Sequence, residues 1–175
     1  MVAEVFGTRP AAVKIGIFGV KGEEPVDVAH HAAASTKSAK ARRAQRGGRG
    51  VGITVAQLAS IHEFGSGRIP ARSFVRSWFD ENQRKIRGTL LQLMAKEIAR
   101  AIKTGRPITD ATRTRILEQL GLQSVGQIQA RISRGIAPPL KAATIERKGS
   151  STPLIDTGQL RASVTHLVSL KGRFT

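Results

Sequence analysis

IHEFGSGRIPARSF (residues 61–74) sets a His-Glu pair against a glycine turn, two arginines and a proline. A zinc-protease helix needs a second histidine four residues after the first, and position 66 is serine, so His62-Glu63 cannot clamp a metal on a helix face. The stretch reads instead as the junction of two helices. Upstream, Thr54 is placed to cap a helix running through Val55, Leu58 and Ile61 to a stop at Gly65. Downstream, Ser73 is placed to cap a long helix. Phe74, Trp78, Phe79, Ile86, Leu90, Leu93, Ile98 and Ile102 recur at helical spacing until Gly105. From 73 to 103 that helix would measure about 46 Å, with Gly88 as its weak point.

Working outward, AAVKIGIFGV (residues 11–20) alternates Val13, Ile15 and Ile17 with Lys14 and Gly16, which predicts a strand with one buried face. Val51 and Ile53 are expected to finish a second short strand. Residues 106–135 predict two shorter helices, the first capped by Thr109 or Asp110 and broken at Gly121, the second stopped by Gly135. LKAATIERKG (residues 140–149) suggests one or two more helical turns, and SVTHLVSL (residues 163–170) alternates like a strand. The order predicts an α+β fold, with a small mostly antiparallel sheet packed by one long helix and several shorter ones. All of it fits one domain over residues 1–175.

Between the first strand and the first helix lies a segment of a different kind. Residues 29–50 are rich in Ala, Ser, Gly and cations, with Lys37, Lys40, Arg42, Arg43, Arg46 and Arg49 and no acid between Asp27 and Glu63. Nothing there larger than Ala offers burial to offset the entropy of ordering, so a long mobile basic loop is expected. Six cations without an acid can meet phosphates in a sequence-independent way, or acidic protein surfaces, or only solvent; the absence of aromatics argues against base stacking. The whole chain, with 29 Lys+Arg against 12 Asp+Glu and a net charge of +17, also points to a polyanionic or acidic partner. No cysteine is present, no signal-peptide pattern opens the chain and no apolar run is long enough for a membrane span, which together imply a soluble chain made in a cytoplasm.

Catalytic constellations are weak throughout. Asp156-Thr157-Gly158 spells the aspartic-protease triplet, but Pro153 precedes it, Gln159 follows it, and a second aspartate would have to come from another copy. Asp156 and Gln159 have the spacing of a capping box, and a structural cap is the expected role. His30, His31 and His166 show no ligand spacing, and GGRGVGITV (residues 47–55) lacks the pattern that wraps phosphates. No enzyme activity and no cofactor are expected.

LASIHEFGSGRIPARSFVR (residues 58–76) resembles the A-x-I-H-E-F-G … I-P-A-R-P-F-L-R signature of tail-completion and head–tail joining proteins of tailed bacteriophages. PPLKAATIERKGSSTPLIDTGQLRASVTH (residues 138–166) resembles that family's C-terminal signature. With long helices between them, the likeness covers roughly residues 13–168. Ser73 stands where proline is usual, and the basic loop looks longer than typical. The resemblance implies a non-enzymatic virion subunit, assembled in the bacterial host cytoplasm into a homo-oligomeric ring of six or twelve copies at the neck or upper tail. Such a ring stacks on adjoining neck, connector or tail proteins and lets double-stranded DNA pass, with no membrane involved. On that likeness Glu63, Arg68, Pro70 and Arg72 are expected at subunit contacts, and the six cations between 37 and 49 at an acidic partner or DNA. A free DNA-binding or packaging-associated protein, and more remotely a dimeric aspartic protease, are the alternatives.

Overall fold

A computed structural model describes residues 2–3, 11–18, 53–67, 69–148, 151–155 and 157–171. The fold is α+β, in the order β1 (Val2–Ala3), β2 (Ala11–Gly16), α1 (Val55–Phe64), α2 (Arg76–Thr104), α3 (Asp110–Arg134), α4 (Ala142–Lys148), α5 (Gln159–Ala162) and β3 (Thr165–Ser169). The sheet order is β1-β2-β3, antiparallel throughout, with Ala12 opposite Ser169 and Gly16 opposite Thr165 across the longer ladder. Both strands expected from alternation are therefore present and pair with each other. Burial on β2 concentrates at Ala11 and Ala12, while Val13 and Ile15 are half-buried. Ile53 belongs to no strand and is exposed, and Val51 lies outside the described residues.

The chain divides into two compact units. One comprises Met1–Gly16, Ser73–Arg131 and Val164–Thr175; the other comprises Ile17–Arg72 and Ile132–Ser163. The first holds the sheet and a helical hairpin. In it, α2 runs for 29 residues, about 43 Å, straight through Gly88, and ends at Gly105 in a left-handed conformation. It begins three residues later than its sequence suggests. Ser73 still contributes, since its Oγ accepts from the Ser77 amide at 3.0 Å. Leu90, Ile116 and Leu120 form the apolar contact between α2 and α3, with Val13, Ile86, Leu93 and Met94 packed around them.

The two short helices expected over 106–135 are one helix of 25 residues. Thr109 starts it, its Oγ1 accepting from the Thr112 amide and its carbonyl from the Arg113 amide. Gly121 does not break it. A Cβ at that position would stand 2.3 Å from the His166 ring, so the missing side chain lets β3 approach the helix. His166 then reaches Glu118, one helical turn away on α3, at 2.6 Å between Nε2 and Oε2.

In the second unit α1 is capped as its sequence suggests. Thr54 Oγ1 accepts from the Gln57 amide and the Gln57 side chain accepts from the Thr54 amide, a reciprocal box. Val55 and Ala59 are buried, and α1 contacts α5, whose Leu160 is buried.

Candidate assembly site at the turn after α1

The end of α1 is built by backbone geometry. The Gly65 amide donates to the Ile61 carbonyl, closing the helix at 2.8 Å. Gly65 itself has φ 79° and ψ 161°, an extended conformation of the mirror-image region and not the left-handed helical cap. Glycine is required there twice over, because a Cβ would also lie 2.9 Å from the Ala71 nitrogen. Ser66 and Ile69 then exchange backbone hydrogen bonds of 3.0 and 2.9 Å, closing a tight two-residue turn. Finally the Arg72 amide donates to the His62 carbonyl at 2.6 Å, so the chain returns to the helix it left. The loop is thus tied at its base and at its tip.

Arg72 is where the sequence expectation has to be corrected. Its side chain is 5% exposed; Nε donates to the Pro138 carbonyl at 2.8 Å and Nη2 to the Pro139 carbonyl at 3.2 Å. Burial draws its pKa below the ordinary guanidinium value, yet arginine starts so high that it stays charged. Glu63 is buried as well. Neither is an exposed contact waiting for a neighbouring subunit. Arg72 is an internal tie between segments 66 and 67 residues apart. Residues 58–72 and 138–163, which hold most of the two stretches that resemble tail-completion signatures, lie within one compact unit. The local sequence shows a charge in a turn, whereas the two carbonyls it binds lie far along the chain.

Among the described residues, the large side chains that the turn exposes are apolar. Phe64 is 65% exposed and Ile69 41% exposed, and Pro70 is also exposed. Pro70 was expected at a subunit contact and is exposed, and Phe64 and Ile69 are exposed beside it. Their signal was available: two large apolar residues flank the glycines of FGSGRI (residues 64–69), at positions that a helix stop turns away from the core. Arg68, the six cations from Lys37 to Arg49, and Asp156 lie outside the described residues. The capping pair expected of Asp156 and Gln159 therefore falls partly outside the described residues. Gln159 is the first residue of α5, follows Gly158 as N-cap, and its amide donates to Thr157 Oγ1.

A second set of polar contacts fixes the helical hairpin of the other unit. Arg131 grips Glu81 with both terminal nitrogens, at 2.6 and 2.9 Å, and reaches Ser77 Oγ at 3.0 Å. Further along, Glu97 accepts from Arg100 Nε at 2.7 Å and from Arg115 Nη2 at 2.6 Å. The hydrogen bond from Arg131 holds Glu81 below the ordinary carboxylate pKa, and those from Arg100 and Arg115 do the same for Glu97. Trp78 Nε1 donates to Gln127 at 3.3 Å, satisfying the one polar atom of a buried ring.

Among the described residues, no group of three or more His, Asp or Glu side chains is placed to hold a metal ion, and no helix is long and apolar enough to cross a membrane. Comparison with protein-family models, with curated proteins and with solved structures finds no match to this chain.

Proposed function

We propose that this chain is a non-enzymatic structural subunit of a bacteriophage virion, forming a ring at the neck or upper tail that joins head to tail and lets double-stranded DNA pass. The observation that carries the proposal is the turn after α1. It is pinned by the Arg72–His62 and Ser66–Ile69 backbone bonds and exposes Phe64 on one limb and Ile69 and Pro70 on the other. Large apolar side chains held on a rigid projection match what interface cores use as anchors. The resemblance of residues 58–76 and 138–166 to tail-completion proteins supplies the kind of assembly, and Arg72 bonding the second segment explains why both segments would be needed together.

In this reading the turn of one copy seats on a neighbouring copy in the ring. The cations of residues 37–49, repeated by symmetry, form a positive collar facing acidic surface on an adjoining ring. A protein neighbour suits them better than the genome, because many strong phosphate contacts would impede DNA that has to slide past. The double substitution Phe64→Ser and Ile69→Ser tests the proposal. It should leave the monomer folded and abolish incorporation into particles; normal incorporation would refute it.

A further inference from the structure

Where α2 turns into α3, an open cleft of about 640 Å³ is lined by Glu97, Arg100, Arg106, Pro107, Thr109, Thr112 and Arg115. Its charges do not balance. Arg100 and Arg115 share one carboxylate, each taking a separate oxygen of Glu97. Arg106 is exposed and makes no hydrogen bond or ion pair among the described residues. Three guanidiniums against one carboxylate leave the cleft with a net charge of 3 − 1 = +2. Asp110, next in sequence to the lining residue Thr109, is occupied by Arg113 at 2.9 Å. Two hydroxyls line the same space: Thr109 Oγ1 and Thr112 Oγ1 share a hydrogen bond at 3.3 Å, which leaves one of their two protons to turn to a ligand.

We infer that this cleft binds a phosphate group, with Arg106 and the outward nitrogens of Arg100 and Arg115 as charged donors and one hydroxyl of the Thr109–Thr112 pair as a neutral one. Phosphate fits the donor set because a tetrahedral dianion accepts from several forked guanidiniums at once, whereas one carboxylate would leave part of the positive charge unmatched. Glu97 holds Arg100 and Arg115 at fixed positions, so the site exists before the ligand arrives. The inference stands on this cleft alone and does not depend on assembly into a ring. The group can come from free phosphate or from the backbone of double-stranded nucleic acid, and the two sources can be told apart.

The experiment is a titration of the full chain at constant ionic strength, followed by backbone amide NMR, with pyrophosphate in one arm and a short DNA duplex in the other. Saturable shifts confined to residues 106–115, weakened about tenfold or more in Arg106→Glu, are expected in at least one arm. Saturation by pyrophosphate alone assigns the site to free phosphate; saturation by the duplex at the same amides assigns it to a nucleic-acid backbone. Arg106→Glu should keep the wild-type melting temperature, since Arg106 is exposed and makes no hydrogen bond or ion pair among the described residues. The inference is overturned if neither ligand moves these amides, if the shifts spread over the surface without saturating, or if Arg106→Glu responds like wild type.

Discussion

Replacing Arg72 by Met keeps most of its volume and removes both hydrogen bonds to the Pro138 and Pro139 carbonyls. Bonds from a charged donor contribute roughly 1.5–3 kcal/mol each, and the guanidinium's own burial is unfavourable and offsets part of that sum. The longer 3.2 Å bond to Pro139 belongs at the low end of the range. A net loss of about 3 kcal/mol follows, which for a chain of this size lowers the melting temperature by roughly 6–12 °C. Arg72→Lys keeps the charge but supplies a single ammonium that cannot fork across two carbonyls, so about half of the loss should remain. Thermal melting by circular dichroism of wild type, Arg72→Met and Arg72→Lys reads the series directly. Incorporation into particles should fall in the same order as stability, because the tie holds together both segments of one unit. Unchanged melting in Arg72→Met would refute the internal tie and return Arg72 to the exposed contact its sequence suggests.

Other perturbations follow from the same geometry. Gly65→Ala forces a side chain into a mirror-image extended conformation and against the Ala71 nitrogen, and should cost on the order of 3 kcal/mol in denaturant unfolding. Gly121→Ala should destabilise by about 1–3 kcal/mol and weaken the His166–Glu118 contact, seen as a shifted His166 ring resonance. Glu81 and Glu97 both have depressed pKa values when folded, so in acid the unfolded chain binds more protons than the folded one. Their contribution is therefore complete above the ordinary carboxylate value of 4.5 and is lost as pH falls below it. The double variant Glu81→Gln and Glu97→Gln should show a flatter melting-temperature profile between neutral pH and pH 3 than wild type.

Much of the fold can be read locally. Thr54 and Gln57 form a box that needs only four residues of chain, and Gly65 and Gly105 end helices because each adopts a positive φ. Two strands alternate visibly and pair. Apart from the strand expected at Ile53, the larger failures are non-local. Gly121 reads as a breaker because one glycine in a helix lowers its propensity, yet burial of Ile116, Leu117, Leu120 and Ile128 on α3 far outweighs about 1 kcal/mol of backbone preference. The real reason for the glycine, the His166 ring, lies 45 residues on. Arg72 likewise finds its partners 66 and 67 residues away. At the candidate site the turn itself was legible, but which of its residues point outward was not. Charge suggested Glu63 and Arg72, and burial leaves Phe64, Ile69 and Pro70.

The central claim, a ring subunit of the virion, is tested most directly by counting this chain in purified, intact phage particles by quantitative mass spectrometry against the major capsid protein. The account predicts a fixed number per particle, six or twelve, retained through high-salt washing. The chain's absence from particles, while it is abundant in the same infected lysate, would contradict it.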